Sequence, residues 1–261
     1  KQQYRFMRDD EANKLAAQMY DQDVVHRSYQ APQQWILTTA RPNILFVVME
    51  SFSSKLMASL GGERNVAVYL DRLSAEGLLF RHFYATSFRT DRGLVSILSG
   101  FPSLPTNSIM KMPKVSQSLP SIAASLRKVG YAADYYYGGD ADFTNMRSYL
   151  KGTGFETIVC DEDFPVSDRL SKWGVPDHLL FEKVLSNLRQ NKRQKPWFKV
   201  VQTLSSHEPF DVPYHRLNDK ILNAFAYTDS CVGHFVDELK KLPLWKNTLV
   251  VLVPDHLGCY P

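Results

Sequence analysis

Four side chains, far apart along the chain, are of the types needed to hold a metal ion and activate an alcohol. Glu50 follows the apolar run NILFVVM (residues 43–49), and Asp255 with His256 follows TLVVLVP (residues 248–254). Two carboxylates and an imidazole are hard oxygen and nitrogen donors, a set suited to a divalent cation such as Mn²⁺ or Zn²⁺. Thr90, in SFRTDRG (residues 87–93), offers a hydroxyl in a loop just before a short helix, where free backbone amides and the helix dipole favour an anion. Bound to a cation, that hydroxyl would lose its proton more easily and could attack phosphorus. The same amides would help stabilise the charge of a phosphoryl transition state. Arg89 and Arg92 flank Thr90 and are able to pair with phosphate. His207, in LSSHEPF (residues 204–210), brings an imidazole, the side chain that exchanges protons near neutrality, to hold a phosphate oxygen or protonate a leaving group.

Each residue also has a plainer reading. Taken alone, Glu50 is an acid ending a strand and Thr90 a helix N-cap. Arg89 and Arg92 could be solvated charges, and His207 a loop histidine. His82, His178, His215 and His234 read as structural or surface residues. Trp173 and Asp177, in KWGVPDHLL, are candidates to line a pocket, although Asp177 after Pro176 also suits a helix start. What favours the chemical reading is shared placement, since Glu50, His207 and the Asp255–His256 pair all follow runs of strand character.

NILFVVM is a continuous apolar run of strand length, as expected of a strand buried on both faces. Helices are expected over VAVYLDRLSAEG, which closes on Gly77 as a left-handed C′ residue, over RGLVSILSG, and over LPSIAASLRKVG, with Leu119, Ile122, Leu126 and Val129 on one stripe. Further helices are expected over PDHLLFEKVLSNLRQ and over residues 217–242, the latter with Leu222, Phe225, Val232, Val236 and Leu239 facing inward. Strands are expected over LLFRHFYA (residues 78–85), YAADYYY, WFKVVQTL and TLVVLVP. Tyr135 to Tyr137 read as strand packing. Strands alternating with helices predict an α/β sandwich around a mostly parallel central sheet flanked by helices. In such sheets ligands bind beyond the carboxyl ends of the strands, where the chemical residues collect here.

With 44% hydrophobic residues, 261 residues can build a sizeable core. A net charge of +4, from 31 basic and 27 acidic residues, is spread along the chain apart from Lys192, Arg193 and Lys195, and is no nucleic-acid footprint. No apolar run approaches the roughly 18 residues of a membrane span. Three widely spaced cysteines without CxxC indicate neither a zinc knuckle nor a disulfide framework. With no initiator Met and no signal peptide, the chain is expected to start inside a longer protein, with residues 1–40 a helical or irregular lead-in.

PNILFVVMESF, TDRG, SSHEPF, AYTDSCVGHFVDEL and PDHLG occur in an order that resembles the lipoteichoic acid synthase-like branch of the alkaline phosphatase and sulfatase superfamily, over residues 41–260. The resemblance implies an alkaline phosphatase-like sandwich continuing past Asp-His-Gly, so a C-terminal part would be missing here. It implies Glu50, Thr90, Asp255 and His256 as ligands of Mn²⁺ (alternatives Zn²⁺ and Mg²⁺), Thr90 as nucleophile, and His207 in the substrate pocket. It further implies a phosphothreonine intermediate carrying glycerol phosphate or another phosphoryl alcohol from a phospholipid head group to an envelope glycan or polyol acceptor. The domain would face outward from the bacterial cytoplasmic membrane, in the periplasm or outside the cell, behind an N-terminal membrane anchor absent from this chain.

Two features depart from the pattern. A His, Trp and Arg set reads Tyr137, Thr144 and Met146 here, with Asp140, Asp142 and Asn145 offering a different polar lining, and Leu257 interrupts Asp-His-Gly. The rivals are a hydrolase of the same superfamily and a binding domain that keeps the fold without turnover. No CxPxR or SxPxR supports a formylglycine sulfatase, and no GxSxG a serine hydrolase.

Overall fold

Four of the hydrophobic runs become strands and a short fifth strand joins them, all running parallel among the described residues. The computed structural model describes residues 5–19, 37, 39–190 and 195–258. Contacts divide the chain into residues 1–40 and residues 41–261. The first unit contributes helix α1 (Asp9–Met19), with Asp9, Asp10 and Glu11 in its first turn, where acids oppose the helix dipole.

In the second unit the elements that build the site are, in chain order, β1 (Asn43–Met49), α2 (Val68–Glu76), α3 (Thr90–Ser99), α4 (Ile122–Lys128), β2 (Ala132–Tyr137), α5 (Met146–Gly152), β3 (Thr157–Val159), α6 (Asp177–Gln190), β4 (Trp197–Gln202), α7 (Lys220–Lys240) and β5 (Thr248–Pro254). The sheet order is β3-β2-β4-β1-β5. Its alternating side chains feed two cores, because successive strand residues point to opposite faces. Leu45, Val47 and Met49 face a cluster with Phe181, Phe225, Val232 and Phe235, whereas Val48, Val200 and Phe198 face Leu94, Leu98, Tyr149 and Leu150. Both faces are covered, which is why the strands read as near-continuous apolar runs. The charges inside the sheet are paired: Asp134 and Lys199 are register partners, with Lys199 Nζ 2.5 Å from Asp134 Oδ2.

The structure corrects several expectations. LLFRHFYA forms no strand; Leu78, Phe80, Phe83 and Tyr84 are all exposed. None of the five strands pairs with this segment, and apolar pattern alone does not make a strand without a partner ladder. Gly77 is extended, at φ −132° and ψ −157°, rather than left-handed. Val129 is exposed, because α4 stops at Lys128 and the chain turns away at Gly130. Strand β3 was not expected; three residues are too few for periodicity to register. Lys192 and Arg193 lie outside the described residues.

Candidate active site

The carboxyl ends of β1 and β5 lie side by side, since Val48 pairs with Val253 and Met49 with Pro254. The next residues, Glu50 and Asp255, therefore leave the sheet together. Ligand atoms of Glu50, Asp255 and His256 lie within 4.8 Å of one another, and all three residues are buried. Thr90 closes the group: its Oγ1 is 3.1 Å from Glu50 Oε2 and 3.2 Å from His256 Nε2.

Thr90 is the first residue of α3, after Arg89 in the N-cap position, so its hydroxyl is not spent on capping. The first amides of that helix have no intrahelical acceptor and open beside the hydroxyl. Gly93, one turn on, explains the spacing of TDRG. A Cβ there would lie 2.2 Å from the Asp255 carbonyl oxygen, so only glycine lets α3 approach the end of β5 this closely. Gly258 does the same beside Ser51: its amide donates to the Ser51 carbonyl, and a Cβ would lie 2.6 Å from that of Ser51. The inserted Leu257 is exposed and leaves this contact intact.

The site is a knot of acceptors. His256 Nδ1 donates to the Leu257 carbonyl at 2.9 Å, which fixes the tautomer and aims the Nε2 lone pair of the neutral ring inward. There it meets Glu50 Oε1 at 3.3 Å and Asp255 Oδ2 at 3.5 Å. Asp255 Oδ1 accepts from the amides of Ser51 and His256, but Oδ2 is buried with no hydrogen-bond donor. Burial and the Glu50 charge hold the Asp255 carboxyl well above its ordinary range. Burial alone would lower the His256 imidazolium, yet the Glu50 hydrogen bond and the charges of Asp255 and Glu50 raise it to about 9. Burial would raise Glu50, but the hydrogen bond and charge of His256 outweigh it and the net shift is downward. Such a group requires a proton or a cation at its centre, and its donor set fits a divalent metal.

Three further loops, before α6 and after β2 and β4, pack against one another. Gly174, at φ +143°, would place a Cβ 2.0 Å from the Gly138 carbonyl oxygen, so the loop before α6 and the loop after β2 touch backbone to backbone. Trp173 packs on His207 at 4.8 Å and edge-on to Phe143 at 5.7 Å, with Lys172 Nζ 5.0 Å from the indole centroid. His207 Nδ1 donates to the Glu208 carbonyl at 2.7 Å, leaving Nε2 available.

The other residues named from sequence do not hydrogen-bond to the acceptor knot. Asp142 is held by Arg147 at 2.9 Å, Asp140 Oδ1 accepts from the Asp142 amide, and Asn145 is exposed in a left-handed conformation. Arg89 binds Asp91 at 3.2 Å, while Arg92 donates to the Pro105 carbonyl at 3.3 Å. Met146 is buried in the core and Thr144 donates to its neighbour Met110 at 3.7 Å, so neither is offered to a ligand. Tyr137 is buried, and burial together with the charges of Glu50 and Asp255 pushes its phenol far up. Asp177 lines no pocket; it is wholly buried. Sequence reasoning passed over Phe143, Ser51, Thr203 and Ser206. Thr203 Oγ1 accepts from the Glu50 amide, and Ser206 Oγ donates to the Glu50 carbonyl. Their position just past the end of β4, beside the end of β1, was the available signal.

Comparison with known proteins agrees with this architecture. The lipoteichoic acid synthase of Staphylococcus aureus (strain bovine RF122 / ET3-1) is 25% identical over 237 residues, 84% of this chain and 36% of that protein. The chain thus spans about a third of the length of the curated relatives it matches. A crystal structure of an alkaline phosphatase superfamily protein from Vibrio parahaemolyticus is 30% identical, with a TM-score of 0.79 over 90% of this chain and 62% of that one. A lipoteichoic acid synthase structure from Listeria monocytogenes has a TM-score of 0.72 at 22% identity, covering 82% of this chain and 56% of that one. Since the sulfatase family model matches residues 42–259, nearly the whole second unit, this chain belongs to the sulfatase family, and it is similar to lipoteichoic acid synthases.

Proposed function

We propose that this chain carries the catalytic unit of a metal-dependent phosphotransferase that moves a phosphoryl-alcohol group, of the phosphoglycerol or phosphoethanolamine type, from a phospholipid to an envelope glycan or polyol. The observation that carries the reading is the convergence of Glu50, Asp255, His256 and the Thr90 hydroxyl, with acceptor facing acceptor. The lipoteichoic acid synthase relatives support it. A divalent cation held there, Mn²⁺ in first place with Zn²⁺ and Mg²⁺ as alternatives, supplies positive charge to the Thr90 oxygen and to the phosphoryl group.

The chain's own residues then have distinct tasks. Thr90 Oγ1, passing its proton to the Glu50 carboxylate that already accepts it, attacks phosphorus in line as the bond to the diacylglycerol oxygen breaks, giving a phosphothreonine; the proton returns to Thr90 in the second half-reaction. His207, with Nε2 unengaged, gives the departing oxygen its proton. An acceptor hydroxyl then displaces threonine by the reverse arrangement, returning that proton to His207. The first amides of α3 hold the phosphoryl oxygens, and positioning with charge neutralisation contributes most of the rate. With Met146 buried in the core, head-group choice falls to Trp173, Phe143 and His207. No described helix is long and apolar enough to cross a membrane. The lipid donor calls for work at the outer face of the cytoplasmic membrane, in the periplasm or outside the cell.

Thr90→Ala tests the reading. Transfer from phosphatidylglycerol or phosphatidylethanolamine to a polyol is expected to fall by roughly 10⁴-fold or more, with Mn²⁺ uptake weakened but measurable by calorimetry. Release to water alone would identify a hydrolase. A wild-type chain that takes up Mn²⁺ and turns over neither lipid would be a binding domain.

A further inference from the structure

Asp177 is a wholly buried acid that the proposed chemistry does not use, and it joins the parts of the site that sequence reasoning kept separate. It opens α6, and its carboxylate reaches the loop that leaves β4. Oδ1 accepts from the amides of Leu204 at 2.7 Å and Ser205 at 3.2 Å. Its own amide donates back to Ser205 Oγ at 3.0 Å, so the two backbones are tied in both directions. From α7, Thr228 Oγ1 donates to Oδ2 at 2.7 Å and fixes the carboxylate's rotation.

The consequences lie on either side of this joint. Four residues upstream is Trp173; two residues past Ser205 is His207; their rings pack at 4.8 Å and 59°. Between Ser205 and His207, Ser206 donates its hydroxyl to the Glu50 carbonyl. Removing a carboxylate from water costs several kcal/mol even after relaxation, and an apolar residue would fill the space more cheaply. What an apolar residue could not supply is direction, since it would leave the Leu204 and Ser205 amides free to turn.

We infer that Asp177 is a positioning residue, holding the His207 loop against the Trp173 loop so that the imidazole stays registered to Glu50. The inference rests on the proposed role of His207 at the substrate, so its test includes a readout that needs no turnover. In histidine-labelled protein, the Trp173 ring current displaces the His207 ring protons, and Trp173→Phe identifies that signal. Asp177→Asn keeps the size and one acceptor but places an amide group against Thr228; Thr228→Val removes only the clamp on Oδ2. Both variants are expected to lose most of the His207 displacement while the other histidine signals stay in place. In the Mn²⁺-loaded protein, KM for the phosphodiester should rise about tenfold, with Mn²⁺ affinity within twofold of wild type. Asp177→Asn combined with His207→Ala should be no worse than His207→Ala alone, because one acts through the other.

An unchanged His207 signal in both variants overturns the inference, as do losses that multiply with His207→Ala. If wild type turns over no phosphodiester, the proposed function falls, and the ring-current measurement still decides the role of Asp177. Should Asp177→Asn fail to fold, the His207 signal of Thr228→Val decides between the two outcomes.

Discussion

Asp229 and Asp255 are both buried aspartates, and their surroundings differ in kind. Asp229, on α7, accepts from the amides of Tyr69 at 2.9 Å and Leu70 at 2.8 Å, one to each oxygen, and so caps α2 from a neighbouring helix. Asp255 has one oxygen satisfied twice and the other not at all. Polar atoms left without a donor or acceptor recur around Thr90: Ser87 Oγ, Asp91 Oδ2 and Arg92 Nε in its own motif, and Asp255 Oδ2 across from it. Protein interiors normally satisfy such atoms, so a cluster of exceptions marks where the fold gives up stability for something else. The same contrast sets Asp134 and Asp177, fully partnered, apart from the acceptor knot.

The sharpest way to break this contrast is Asp255→Asn. The amide keeps the Ser51 and His256 amides on its oxygen and turns an NH₂ toward the His256 lone pair. Mn²⁺ affinity is expected to drop by roughly a hundredfold or more, since even residues behind the ligands cost tenfold to a hundredfold. The metal-free variant should be more stable than metal-free wild type by about 1 kcal/mol, because a buried carboxyl whose ionisation burial and the Glu50 charge both oppose is gone. Wild type in a hundredfold excess of Mn²⁺ over Kd should gain about 2.7 kcal/mol, and the variant nothing, in paired melting curves. A variant that still responds to Mn²⁺ would remove Asp255 from the ligand set.

A smaller effect is expected from Gly93→Ala, which leaves every polar group in place. Its Cβ would collide with the Asp255 carbonyl, so α3 must retreat from β5 and carry Thr90 with it. Overpacking of this kind costs about 1–3 kcal/mol in stability, measurable by urea unfolding. Turnover should fall by about a hundredfold, since a displacement near 1 Å at the reacting atoms costs that much. Gly100→Ala, with open space around its Cβ, is the control for α3 itself: it should lose stability from its left-handed φ of +64° and keep turnover per folded molecule.

The same division decides what could be read from the sequence. The strands β1, β2, β4 and β5 were legible because strands buried on both faces are written in local runs of apolar residues. Glu50, Thr90, Asp255 and His256 stood out as residue types placed after strands or before a helix, and the fold brings their side chains together. What stayed illegible depends on partners distant in sequence. LLFRHFYA has strand composition but no neighbour among the described residues. Asp140 and Asp142 read as substrate lining, yet Arg147 occupies Asp142, an ion pair that local sequence does not reveal. Asp177 read as a helix start or pocket residue and is instead a joint between two loops, a role visible only once Leu204 and Thr228 are beside it.

Asp229 provides the quietest test, because it is the satisfied member of the pair. Asp229→Ala leaves the Tyr69 and Leu70 amides without their acceptors and should cost about 2 kcal/mol, while Mn²⁺ affinity stays unchanged. The pH dependence then separates burial from capping. Burial raises the Asp229 carboxyl from the usual value near 4 to about 6, against the opposing pull of the two amides. A folded-state value above the unfolded one means that folding favours the protonated acid. Its contribution is complete below about pH 4 and is lost as pH rises through 6. Asp229→Asn has no such proton. The stability of wild type minus that of Asp229→Asn should therefore decline between pH 4 and 6 with a slope of at most about 1.4 kcal/mol per pH unit, and then level off. Taking the difference cancels Asp255 and His256, which titrate in both proteins and lie in the other region. A flat difference would mean that the two α2 amides compensate the charge completely, which would set Asp229 still further apart from Asp255.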